Sequence, residues 1–135
     1  MKDLKEELGV QSFCFRNYEK NEEVAECVKK IGLKKIEPCS VHIDFSDETS
    51  HQEAIAAYQG NDVEIVSMGV MQLSSNEEEI KPYFEFAKKA GLSHMSISFQ
   101  VDDMDETLKL AEKMAEEYDL YLGIHNHGGH HWLGN

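Results

Sequence analysis

Five strand-like segments alternate with four helix-like segments along this chain, which predicts an α/β fold with parallel strands. The strands are predicted at Gly9–Phe15, Lys35–Cys39, Val63–Gln72, Met95–Val101 and Leu120–His127. The helices are predicted at Asn21–Ile31, Ser50–Tyr58, Asn76–Ala90 and Met104–Tyr118. Regular alternation of this kind is typical of right-handed βαβ units, whose strands pair into a parallel sheet.

Apolar spacing and end signals define the helices. The first helix has an apolar stripe at the i, i+3, i+4, i+7 spacing of one helical face: Val24, Cys27, Val28 and Ile31. The fourth helix has a similar face, formed by Leu108, Leu110, Ala111, Met114 and Ala115. Gly32 and Gly91 each follow a last turn that contains lysines, which is a signal for a helix end. Pro82 is unfavourable inside the third helix, so we expect that helix either to begin near Lys81 or to kink.

The last two strands alternate between apolar and polar residues. The apolar sets are Met95, Ile97, Phe99 and Val101, and then Leu120, Leu122 and Ile124. The polar sets are Ser96, Ser98 and Gln100, and then Tyr121, Gly123, His125 and His127. Because helices cover one face of such a sheet, the polar sets should face a lumen, unlike the doubly apolar strands of open sandwiches. The predicted fold is therefore the (βα)4β half of a TIM barrel with helices on the outer face, as a single partial barrel domain over residues 1–135.

Composition narrows the class of protein. A chain of 135 residues that is 41% hydrophobic can form the core of one domain. The net charge of −13 repels phosphate backbones and anionic lipid, so we expect neither a nucleic-acid nor a membrane partner. The sequence has no apolar run of transmembrane length, and its charged start is unlike a signal peptide. Three cysteines without C-x-x-C spacing predict reduced thiols in a cytoplasmic protein.

Polar residues end, follow or line the predicted strands, and barrel enzymes hold their active sites at the carboxyl ends of such strands. Glu37 can bind a sugar hydroxyl or act as a base, or it can form an ion pair in the lumen with Arg16. His42 follows the second strand, and either contacts a ligand or is an exposed loop histidine. The amides of Gln11, Gln72 and Gln100 suit hydroxyl recognition, because an amide both donates and accepts, or they bond within the lumen.

Four of the seven histidines lie near the carboxyl end, at positions 125, 127, 130 and 131. His125 and His127 are two residues apart on a strand, so their side chains point the same way. They can share a divalent metal, shuttle protons near neutral pH, or contact lumen groups and substrate without a metal. His130 and His131 lie in a Gly-flanked loop that we expect to face solvent or a partner. Trp132 can stack on a sugar or cover the open edge of the sheet.

Four segments resemble the xylose isomerase-like TIM barrel family, the sugar phosphate isomerases and epimerases. They are the stretch Gly9–Arg16, Ile36-Glu37 followed by His42, the helix end Phe86–Gly91, and the stretch Leu122–Gly128. The order and spacing of all four carry the resemblance, which covers only the N-terminal half of a family member. It implies proton transfer next to a carbonyl of a sugar or polyol, assisted by Mn²⁺, Mg²⁺, Co²⁺ or Zn²⁺.

The family usually has a carboxylate ligand where this chain has His125, and takes further ligands from strands six to eight. A single copy is therefore expected to be poorly active. The expected catalytic residues are Glu37, His42 and His127, and the expected metal ligands are His125 and His127. The expected substrate-binding residues are Gln11, Gln72, Gln100, Asn126 and Trp132.

Two open sheet edges predict a homodimer through the open sheet, unless the chain is part of a longer enzyme. The alternative hypothesis is a non-catalytic, self-assembling module that binds a small polyol or a metal. An abasic-site nuclease, an activity found among relatives of this family, is disfavoured by the charge of −13. No Gly-rich phosphate loop is visible, which favours an unphosphorylated ligand.

Overall fold

A computed structural model describes residues 4–132. The α-helices are α1 (Leu4–Glu7), α2 (Asn21–Lys30), α3 (Glu48–Gly60), α4 (Glu77–Lys89) and α5 (Met104–Tyr118). The strands are β1 (Gly9–Gln11), β2 (Lys35–Glu37), β3 (Glu64–Ile65), β4 (Met71–Gln72), β5 (His94–Ser98) and β6 (Tyr121–Ile124). A 3₁₀-helix, Ser12–Phe15, follows β1. The chain divides into two compact units, Met1–Gly69 and Val70–Asn135.

The first unit has a parallel sheet in the order β1-β2-β3. Val10 pairs with Ile36, and Ile36 pairs in turn with Ile65, so an apolar row crosses the sheet. The core of this unit consists of residues that are fully or almost fully buried. They come from α2, β2, α3 and the position just before β3: Val24, Ala25, Val28, Ile36, Tyr58 and Val63. The central strand β2 is thus fixed by apolar contacts on the side that faces away from Glu37.

The second unit has a parallel sheet in the order β4-β5-β6. Its buried residues come from α4, α5 and β5, and include Ile80, Phe84, Phe86, Ala87, Met95, Ile97, Ala111 and Met114. Asn76 caps α4 by accepting a hydrogen bond from the backbone N–H of Glu78. This helix runs through Pro82, so the expected start near Lys81 is wrong.

Parallel strands alternate with helices in both units, which confirms the predicted α/β class of a half-barrel-like fold. The predicted helix Met104–Tyr118 has the same bounds in the structure. The third predicted strand, Val63–Gln72, is instead two short strands that pair in different sheets. A run of β-prone residues favours an extended backbone, but packing decides which strands it pairs with. The expectation of one partial barrel domain stays a prediction.

The burial of the alternating strands was predicted only in part. Met95, Ile97 and Phe99 are buried, as expected of residues that face helices. Val101 and Ile124 are instead exposed, at 55% and 53%. Val101 lies beyond the end of β5, and Ile124 ends β6, which among the described residues pairs on one side only. Alternation predicts which side chains share a face of the strand. On an edge strand, that face is buried only where another part of the protein packs over it.

Candidate functional site

A hydrogen-bonded amide–carboxylate pair lies at the carboxyl ends of β1 and β2. Parallel pairing sets Gln11 opposite Glu37, and Gln11 Nε2 donates to Glu37 Oε1 over 2.7 Å. The same nitrogen lies 3.4 Å from the carbonyl oxygen of Gly69. Both side chains are half-buried, so the pair is held by protein and reachable from solvent. Two of the residues predicted for the site, one substrate-binding and one catalytic, therefore meet.

A cavity of about 270 Å³ opens beside this pair. It is lined by Gly9, Val10, Gln11, Glu37, Val66 and Ser67. Among these lining residues Glu37 carries the charge, and none is a lysine or an arginine. A carboxylate accepts hydrogen bonds and repels anions, so the cavity suits a neutral molecule that offers hydroxyl groups.

His42 is buried, at 8% exposure, in the loop after β2. Its Nδ1 lies 3.1 Å from Ser12 Oγ, and its Nε2 lies 3.3 Å from the carbonyl oxygen of Phe15. The interpretation as an exposed loop histidine is therefore wrong. Because both ring nitrogens contact protein groups, this geometry favours a structural role, and the catalytic assignment of His42 stays a prediction.

Three histidines pack together after β6 in the second unit. The rings of His125 and His127 have centroids 4.7 Å apart, and those of His127 and His131 are 4.2 Å apart. Burial and the neighbouring rings of His131 and His125 lower the pKa of His127, since each disfavours the imidazolium form. Trp132 packs edge-on against the buried Phe99 at 5.4 Å. His125 and His127 thus lie together, as predicted, and His131 also packs against His127.

Within residues 4–132, no group of three or more His, Cys, Asp or Glu side chains is arranged to hold a metal ion. The three histidine rings pack against one another, and two of them, at 82°, meet edge to face. The metal that the family resemblance implies, with His125 and His127 as its ligands, therefore stays a prediction.

The remaining predicted residues are exposed in the second unit. Gln72 ends β4, and its Nε2 lies 3.5 Å from the carbonyl oxygen of Leu73, which is a weak contact. Gln100 follows β5, and Asn126 lies between the two packed histidines. Trp132 is 38% exposed, so it has a face available for stacking. Each unit therefore holds its own share of the predicted residues.

Sequence reasoning missed the buried polar network behind the Gln11–Glu37 pair. Ser12 is fully buried and contacts Cys39 and His42. The sequence held a signal, because Ser12 shares a face of the first predicted strand with Val10 and Cys14, opposite to Gln11. A polar residue on that side has to bond inside the protein. Sequence also did not predict the groove of about 820 Å³ along α2 and α3, whose lining includes Asn21, His42 and Glu53.

Comparison with known proteins finds solved structures of the same fold. No family model matches this chain, and no curated protein matches it. A crystal structure of an uncharacterized protein from Parabacteroides distasonis is similar, with a TM-score of 0.70 and 19% sequence identity. The match covers 88% of this chain and 52% of that chain.

The likeness shows the fold. At 19% identity it carries no information about activity. The chain spans about half the length of the solved protein that it matches. In the described part of the chain, no helix is both long enough and apolar enough to cross a membrane.

Proposed function

We propose that this chain is a sugar-binding half of an isomerase- or epimerase-like βα barrel. The observation that carries the proposal is the pair of Gln11 and Glu37, joined over 2.7 Å at the carboxyl ends of adjacent parallel strands. Ligands of βα folds bind at those ends of the strands. The catalytic activity belongs to a completed barrel, because a single pair supplies too few groups for the whole reaction.

Glu37 is the proposed base. A carboxylate beside a carbonyl compound can remove the proton from the neighbouring carbon and return it to the former carbonyl carbon. The proton of the neighbouring hydroxyl group passes to the carbonyl oxygen at the same time, and the two transfers together interconvert two sugars. The Gln11 amide fixes the position of Glu37 through the hydrogen bond from Nε2 to Oε1. This places the carboxylate beside the cavity, where it can accept a proton or hydrogen bonds from hydroxyl groups.

The proposed ligand is a small, neutral sugar or polyol. The cavity of about 270 Å³ is at the lower end of the size of ligand pockets. A phosphate group would need basic side chains or a helix N-terminus, and the residues that line the cavity provide neither. An unphosphorylated pentose or hexose therefore fits this chemistry better than a sugar phosphate.

The test is a titration followed by NMR, with xylose, glucose and glucose 6-phosphate as probes. We expect the neutral sugars to shift the signals of Gln11 and Glu37. Glu37→Gln should weaken their binding roughly tenfold or more, since a hydrogen bond to a charged group contributes about 1.5–3 kcal/mol. Glu64→Gln, on the exposed side of β3, removes one charge without touching the cavity and should have no effect. Tighter binding of glucose 6-phosphate than of glucose would contradict the proposal.

A second candidate is a non-catalytic binding module that assembles through its sheet. It is favoured by the open sheet edges, since among the described residues β1 pairs only with β2 and β6 only with β5. The two candidates differ in proton exchange. In deuterated water, the completed barrel should introduce deuterium next to the carbonyl of the sugar, and Glu37→Gln should abolish this exchange. Sugar binding without any exchange would favour the module.

A homodimer through the open sheet is part of the proposal. Among the described residues, β1 pairs only with β2 and β6 only with β5. An apolar groove of about 560 Å³ runs between α5 and β6, lined by residues that include Leu108, Leu122 and Ile124. Such surfaces favour pairing with another copy. Light scattering after size-exclusion chromatography distinguishes the dimer from a monomer.

A cytoplasmic location and the absence of nucleic-acid partners also belong to the proposal. Cys14, Cys27 and Cys39 are free, which is the usual state of thiols in a reducing compartment. The net charge of −13 opposes binding to phosphate backbones.

A further inference from the structure

Ser12 lies at the centre of a buried hydrogen-bond network formed by residues that follow Gln11 and Glu37 along the chain. It follows Gln11, and its side chain is 0% exposed. Its Oγ accepts a hydrogen bond from the backbone N–H of Cys39 over 3.0 Å, lies 3.2 Å from Cys39 Sγ, and lies 3.1 Å from His42 Nδ1. Cys39 comes two residues after Glu37, so these contacts join the segments that follow the two members of the pair.

The direction of each bond follows from the chemistry of His42. The carbonyl oxygen of Phe15 can only accept, so Nε2 of His42 carries a proton and donates to it over 3.3 Å. In the neutral ring Nδ1 is then an acceptor, and the Ser12 hydroxyl donates to it. The serine oxygen accepts from the backbone N–H of Cys39 and from its thiol. The hydroxyl proton and both lone pairs of Ser12 are thus in use.

The network is anchored to two helices of the same unit. Asn21, the first residue of α2, donates through Nδ2 to the carbonyl oxygen of His42 over 3.0 Å. Tyr58 of α3 donates through its hydroxyl to Asn21 Oδ1 over 2.9 Å. Burial raises the pKa of Tyr58, so its hydroxyl stays protonated and keeps donating. The loop after β2 is therefore held from Ser12 on one side and from α2 and α3 on the other.

We infer that Ser12, acting through Cys39 and His42, is a positioning residue that sets the distance between Gln11 and Glu37. β1 and β2 each end at a member of the pair, so the strand ladder holds the pair from one side only. The segments beyond it are joined at Ser12. Without that junction the two strand ends can separate, and the 2.7 Å hydrogen bond between Gln11 and Glu37 is the first contact to lengthen. The importance of this role for ligand binding rests on the proposed function.

The test compares Ser12→Ala with Ser46→Ala. Ser46 is an exposed serine of the same unit whose Oγ donates to Asp44 over 2.6 Å, so its variant is a matched loss of one hydroxyl. The readout is the side-chain amide signal of Gln11 in an NMR spectrum of the ligand-free protein. We expect this signal to move toward that of a solvent-exposed glutamine in Ser12→Ala and to stay in place in Ser46→Ala. An unchanged Gln11 signal in a folded Ser12→Ala variant would overturn the inference.

His42 supplies a second pair of variants if Ser12→Ala does not fold. His42→Asn retains an acceptor near the position of Nδ1, whereas His42→Ala removes it. We expect the Gln11 signal to move in His42→Ala and to return toward its original position in His42→Asn. A Gln11 signal that stays in place in His42→Ala would refute the inference.

The two proposals fail in different ways. The Gln11 signal is measured without ligand, so it tests the positioning role alone. Ser12→Ala should also weaken xylose binding roughly tenfold, about the effect of one lost hydrogen bond. Absence of xylose binding in the unmodified protein would count against the proposed function, while the Gln11 signal would still decide the role of Ser12.

Discussion

Replacing Ile36 by valine tests the packing that holds β2 and, with it, Glu37. Ile36 is 0% exposed at the centre of its sheet, between Val10 and Ile65. Valine keeps the branched Cβ and removes one buried methylene, which costs about 1 kcal/mol of the free energy of unfolding. With a urea dependence of about 1–3 kcal/mol per molar, the midpoint should fall by roughly 0.3–1 M. Urea unfolding followed by circular dichroism measures this shift.

Ile31→Val is the matched control, because it makes the same chemical change on a residue that is 56% exposed. Its effect should stay within about 0.5 kcal/mol, as for other surface substitutions. Equal shifts of the urea midpoint for Ile31→Val and Ile36→Val would refute the reasoning, since Ile36 would then not be packed in a core. Ile36→Ala should cost about 2–5 kcal/mol, because it leaves a larger cavity.

Three further predictions concern other parts of the chain. Tyr58→Phe should lower the free energy of unfolding by about 1–3 kcal/mol in a urea titration, because it leaves the half-buried Asn21 Oδ1 without its donor. Asp119→Gly should raise the melting temperature, since Asp119 ends α5 at φ 54°, a left-handed conformation that glycine adopts at no steric cost. Lys113 lies 2.7 Å from Glu77, and this contact lowers the pKa of Glu77 and raises that of Lys113. A carboxylate with a lowered pKa stabilises the fold at neutral pH and loses that contribution as the pH falls through its folded pKa. NMR titration should show the pKa of Glu77 rising in Lys113→Gln.

Helices were predicted well because their signals are local. The apolar spacing of α5 and the polar residues at its ends are all contained in one segment, and its predicted bounds are those observed. Strands depend on partners elsewhere in the chain. The run Val63–Gln72 was predicted as one strand, yet β3 pairs with β2 while β4 pairs with β5. Such a choice of partner lies beyond any local pattern.

The candidate site, like the fold, was predicted only in part. Gln11 was expected to end or line its strand and Glu37 to lie at a strand end, and the structure joins them. The role of His42 could not be predicted, because its two partners, Ser12 and Phe15, come from a segment that sequence assigned to a strand. The 3₁₀-helix there turns Ser12 into the protein, and only the folded chain shows which loop meets it.

The geometry of the Gln11–Glu37 pair is a consequence of apolar packing on the other face of the same sheet. Successive strand residues point to opposite faces, so the row of Val10, Ile36 and Ile65 fixes the register that sets Gln11 opposite Glu37. A shift of β1 by one residue would place Val10 opposite Glu37 and turn Gln11 toward the helices. That shift is opposed by the burial of Ile36 and by the bonds of Ser12, which hold the end of β1 in place. The core and the polar network thus act together on the distance between Gln11 and Glu37. Substitutions at Ile36 and at Ser12 should both lengthen that distance, the first through packing and the second through a lost hydrogen bond.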